Sequence, residues 1–134
     1  HGANFIKTIL RLSETRDALN IVGDQIGGPT PARDIAVACL QIAEQLIQDP
    51  SKSGTYHFSG APDVSWADFA EAIFDRAGKS VAVTPIPTAD YPTRAQRPLN
   101  SRMDCATTKR AFGIERPDWA TGLKAILEDL EVST

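Results

Sequence analysis

Three arginines, Arg94, Arg97 and Arg102, fall within the stretch Tyr91–Met103, which contains no carboxylate. Guanidinium forks beside the Asn100 amide and the Ser101 hydroxyl are the donor set a phosphate or pyrophosphate takes up, because paired N–H groups match its oxygens. Pro92 and Pro98 fix φ and disfavour helix, so these donors are expected on an extended or turning loop. The competing reading is a solvated connector whose arginines pair with nearby acids. Other chemistry is sparse. His1 and His57 stand in no Ser-His-Asp or Cys-His context, and the carboxylates fall on predicted polar faces. Two histidines and two cysteines lie scattered without ligand spacing, so no metal site is expected. Gly27-Gly28-Pro29 opens towards a helix, but its spacing matches neither glycine-rich nucleotide fingerprint.

The elements that must position the arginine loop read as helix–strand–helix–strand–helix–strand–loop–helix–helix. This is a small α/β domain with a minimal sheet and about five helices. Asn4 is placed to cap a first helix through about Glu14, with Phe5, Ile6, Ile9, Leu10 and Leu12 at helical spacing. Leu19–Val22 reads as a strand. Thr30 and Pro31 read as N-cap and first position of a helix to about Gln48, with Ile35, Ala36, Cys39, Leu40, Ala43, Leu46 and Ile47 inward. On that stripe Cys39 is expected as a buried free thiol. Thr55–Ser59 reads as a strand with Tyr56 and Phe58 on one face and a structural His57 on the other. Ser65-x-x-Asp68 is a capping box, opening a helix whose stripe of Trp66, Phe69, Ala70, Ile73 and Phe74 is expected in the core. Val81–Thr84 is a further β-prone run. Asp104 is expected to cap a short helix stopped by Gly113, and a last helix runs from about Pro117 to Glu131.

A length of 134 residues suits one domain over 1–134, large enough to bury a core. The formal charge of −3 argues against nucleic acid as a partner. No apolar run approaches the roughly 20 residues of a membrane-spanning helix. Two cysteines without CxxC spacing point to a reducing, cytoplasmic setting. The start, with His1-Gly2 running almost directly into a helix, reads as a chain cut from something longer.

Arg97-Pro-Leu-Asn-Ser-Arg-Met103 closely resembles the Arg-Pro-x-Asn-Ser-x-Leu signature of dTDP-4-dehydrorhamnose reductases. Asp24-Gln-Ile-Gly-Gly-Pro-Thr30 resembles that family's Asp-Gln-x-Gly-x-Pro-Thr. Met103 replaces a common Leu, and Ile26 a frequent aromatic. The resemblance covers the whole chain but only the C-terminal half of the family's protein. It implies the small substrate-binding domain of an extended short-chain dehydrogenase/reductase without its N-terminal Rossmann domain, of which the first 20 or so residues would be the tail. It implies that the parent uses NADPH or NADH to reduce dTDP-6-deoxy-L-lyxo-4-hexulose to dTDP-L-rhamnose, with this part holding the dTDP-sugar and binding no cofactor itself. By the same resemblance Arg97 and Arg102 are candidates for the pyrophosphate, and Asn100 and Ser101 for sugar, base or phosphate oxygens. Gln25 and Thr30 would line the mouth between domains, and Asn4, more weakly, would lie near the diphosphate. No catalytic residue is expected in this chain. The superfamily's Tyr-x-x-x-Lys pair is missing, since Tyr56 is followed four positions on by Gly60 and Tyr91 by Ala95. The alternative is a non-catalytic sugar-nucleotide or protein-binding module of the same fold, similar to the regulatory subunit of methionine adenosyltransferase. Apolar surface bared by loss of a partner domain also invites a homodimer.

Overall fold

The computed structural model describes residues 4–91, 93 and 95–132. Among them are five α-helices and four short strands: α1 Phe5–Ser13, β1 Ala18–Val22, β2 Ile26–Gly27, α2 Ala32–Gln48, β3 Val64–Ser65, α3 Trp66–Arg76, β4 Ala82–Ile86, α4 Ala106–Phe112 and α5 Trp119–Val132. The expected small α/β class with a minimal sheet is the architecture found. The chain divides into two compact units, one made of residues 1–27 and 64–101, the other of 28–63 and 102–134.

In the first unit β1 and β4 form a parallel pair, Ala18 opposite Ala82 through Val22 opposite Ile86. Leu19, Ile21 and Val22 are buried, and the buried face of α3 (Ala67, Phe69, Ala70, Ile73 and Phe74) carries most of the remaining core. The capping box opens α3 as expected. Ser65 Oγ accepts from the Asp68 N–H at 3.0 Å, and the Asp68 carboxylate accepts from the Ser65 N–H at 3.3 Å. Trp66 is an exception to the expected stripe. It is 41% exposed, and its ring meets Phe5 at 4.8 Å between centroids and Phe69 more loosely. As the first helical residue it precedes the turns that α3 buries. Asn4 caps α1, its side-chain oxygen accepting the Lys7 N–H at 2.9 Å.

The second unit buries Ala38, Cys105, Thr108, Phe112, Trp119, Leu123 and Leu127. Two expectations fail here. Most of the stripe of α2 expected to face inward lies exposed, Leu46 alone among its named residues being half-buried: Leu40 is 66% and Ile47 82% accessible, and Cys39 is exposed rather than buried. The side that packs carries Ala38 and Gln45, whose amide donates to the Phe112 carbonyl at 2.9 Å. Helical spacing defined an apolar stripe without naming the element that would cover it. Secondly, Thr55–Ser59 forms no strand and pairs with none among the described residues. Its carbonyls are taken by side chains instead, His57 O by the Thr108 hydroxyl at 2.5 Å and Ser59 O by Arg116 Nε at 3.2 Å. Thr30 does not cap α2 either. Pro31 occupies that position, and the Thr30 hydroxyl donates to Gly28 O while accepting the Gly60 N–H at 3.0 Å, fastening one loop to another. Arg116 also donates to Gly60 O and to the Asp63 carboxylate, and the Asp63 hydrogen bond raises the guanidinium pKa. Gly113, at φ 70°, takes the left-handed conformation that ends α4, as expected.

Candidate functional site

The two stretches singled out in the sequence meet through their backbones in the first unit. Ile26 N–H donates to Leu99 O at 2.9 Å, and Ser101 N–H donates to Ile26 O at 2.8 Å. On its other side Ile26 pairs with Ser65, antiparallel. Residue 26 is therefore the middle of a narrow ribbon whose outer rows are 64–65 and 99–101. Pairing of this kind uses only main-chain groups and does not itself engage the side chains of the arginine loop.

Beside this ribbon, still within the first unit, lies an open cavity of about 1050 Å³. Its floor is apolar, with Ile9 from α1 and Leu19 and Ile21 from β1, while Gln25, Arg97 and Ser101 bring polar groups to its wall. Arg97 has no carboxylate partner among the described residues. The same holds for Arg16, which follows α1, lines the same cavity and was not foreseen. Arg16 and Arg97 bring two guanidiniums to the concavity and Asp90 one carboxylate, so its lining carries a net positive charge, which favours an anionic ligand.

Gln25 is held by a small network. Its amide donates to Thr88 Oγ1 at 3.0 Å, and the Thr88 hydroxyl and N–H donate to the Asp24 carboxylate at 2.6 and 3.0 Å. The Thr88 hydroxyl, chiefly, and then its N–H hold the Asp24 carboxyl below the usual carboxylate range. Asp24 thus stays ionised and spends its charge inside the network. Thr88 was another residue that reasoning from the sequence missed. It follows the Pro85-x-Pro87 run, where no motif marks it. Arg16 was missed because a single arginine before a strand is an ordinary surface feature.

The remaining expected site residues are placed differently. Asn100 lies on the ribbon opposite Ile26, exposed, and does not line the cavity. Asn4 is engaged as the α1 cap. Arg102 and Thr30 belong to the second unit. Arg94 lies outside the described residues. No group of three or more His, Cys, Asp or Glu side chains suited to a metal occurs among the described residues. No described helix is long and apolar enough to cross a membrane.

A small α/β chain with an open, guanidinium-lined cavity has the build of a domain that binds an anionic organic ligand. The chain belongs to the family described as the RmlD substrate binding domain, whose model matches residues 1–132. It is 50% identical over 133 residues to the dTDP-4-dehydrorhamnose reductase of Aggregatibacter actinomycetemcomitans, an alignment covering 94% of this chain and 45% of that protein. Among solved structures, it is similar to a dTDP-4-dehydrorhamnose reductase from Clostridium acetobutylicum, with a TM-score of 0.84, 35% identity and 97% of this chain covered against 45% of that one. It is also similar to the Bacillus anthracis enzyme in complex with NADP, with a TM-score of 0.79, 36% identity and 100% of this chain covered against 44% of that one. The chain thus spans a little under half the length of these relatives.

Proposed function

We propose that this chain is the substrate-binding part of an NAD(P)H-dependent dTDP-4-dehydrorhamnose reductase. In this reading it holds dTDP-6-deoxy-L-lyxo-4-hexulose while a Rossmann half outside these 134 residues supplies NADPH or NADH and the proton donor. The chain's own part is binding, since it carries neither the Tyr-x-x-x-Lys pair nor a dinucleotide fingerprint. The observation that carries the reading is the main-chain pairing at Ile26, which joins the two family-like motifs beside a cavity that Arg97 lines with no ion-paired carboxylate among the described residues. Arg97 is assigned to the pyrophosphate, with Ser101 and Gln25 supplying neutral hydrogen bonds to the same ligand. For Asn100, Arg102 and Thr30 the assignment rests on the motifs alone. The role we give Asn4 is the cap of α1.

The test is Arg97→Ala in the full protein. Loss of one charge-assisted contact costs about 1.5–3 kcal/mol, roughly ten- to a hundredfold in affinity. Titration calorimetry should show that loss for the dTDP-sugar and leave the nicotinamide dinucleotide unchanged. Equal weakening of both ligands would reject the assignment.

A further inference from the structure

Trp66 is the one tryptophan the core leaves out. Trp119 is buried, with its Nε1 donating to Pro62 O at 2.8 Å, whereas Trp66 is 41% exposed and, with Phe5, lines the same cavity as Arg97. An indole is expensive to leave in water, and here it is held rather than loose. Phe5 braces it at 4.8 Å between centroids, and α3 fixes its backbone.

The ribbon sets the spacing between this ring and the arginine loop. Trp66 directly follows Ser65, which pairs with Ile26 on one side, while Asn100 pairs with Ile26 on the other. Two strand separations, about 10 Å in all, lie between the row that leads into Trp66 and the row at the end of the arginine loop. That is the order of distance between a nucleobase and the outer phosphate of its diphosphate.

We infer that Trp66, backed by Phe5, is the stacking surface for the base of a nucleoside diphosphate whose phosphates lie towards Arg97. The inference rests on the diphosphate reading above and adds the element that would separate a nucleotide from a bare pyrophosphate. Stacking accepts any base with a π-face, so it contributes affinity for nucleotides as a class and little choice among bases.

Tryptophan emission of the full protein, titrated with dTDP and separately with inorganic pyrophosphate, tests it. Quenching by dTDP and not by pyrophosphate is expected, and Trp66→Phe, which keeps a ring to brace Phe5, should abolish it. By calorimetry Trp66→Ala should weaken dTDP roughly tenfold or more and leave pyrophosphate unchanged. Quenching that survives in Trp66→Phe, or wild-type dTDP affinity in Trp66→Ala, overturns the inference. If Arg97→Ala still weakens dTDP in that case, the diphosphate reading stands without the shelf. Absence of any dTDP binding would overturn both.

Discussion

Gly28 shows how a family-like motif residue earns its place sterically. A Cβ built on Gly28 would lie 2.1 Å from the Gly60 carbonyl oxygen and 2.9 Å from Arg116 Nη2. Ordinary carbon–oxygen contact begins more than 1 Å further out, so Gly28→Ala must move a backbone carbonyl, not a flexible side-chain end. That carbonyl is itself a hydrogen-bond acceptor for Arg116, which also pairs with Asp63. Overpacking of this kind costs about 1–3 kcal/mol, and disturbing a charge-assisted hydrogen bond about 1.5–3 kcal/mol. Because the two share one displacement they are not fully additive, and about 3 kcal/mol is expected. For a chain of this size that lowers the melting temperature by roughly 10 °C. Gly54→Ala is the matched control, since its Cβ would meet the Tyr56 ring at 3.4–3.6 Å, ordinary contact. It should shift stability by no more than about 0.5 kcal/mol. Circular-dichroism melts of the two variants decide the matter. Equal melting temperatures would refute the claim that close approach of the 28–30 and 59–61 loops dictates glycine here.

Stability should depend on the Asp24 carboxyl at acid pH. Its pKa is depressed in the folded state, so its contribution is complete above the unfolded value of about 3.8 and is lost as pH falls through the lower folded value. Thr88→Val removes the hydroxyl that is the main cause, so urea titrations between about pH 2 and 6 should show a shallower acid loss than wild type, and unchanged slopes would count against the network. A thiol reagent should modify Cys39 quickly and Cys105 only after unfolding, because one is exposed and the other buried. Rapid release of two thiols from the folded chain would contradict this placement.

Local signals were legible wherever the backbone settles its own accounts. The Ser65–Asp68 capping box, the left-handed Gly113 and the Asn4 cap all follow from short-range chemistry, and the chain adopts them. What the sequence left hidden depends on partners distant along the chain. The α2 stripe is apolar whether or not anything covers it, and Thr55–Ser59 alternates correctly yet finds Thr108 and Arg116 instead of a neighbouring strand. Main-chain pairing of Ile26 with Leu99 and Ser101 has no side-chain signature, so only the two motifs hinted that these stretches belong together. In the cavity wall, Gln25, Arg97 and Ser101 came from those motifs, whereas Arg16, Thr88 and the exposed face of Trp66 carried no mark of their own.

The partition of the chain has a consequence for its birth on the ribosome. Each compact unit is assembled from two separate segments, so no single cut releases either one whole. The first strand partners a segment 64 positions downstream, Ala18 against Ala82. At about 5–20 residues per second, synthesis of that interval takes roughly 3–13 s, during which β1 has no β4 to pair with. The apolar face of β1 therefore waits for a partner made 64 positions later, and the interval between the two strands sets the length of that wait.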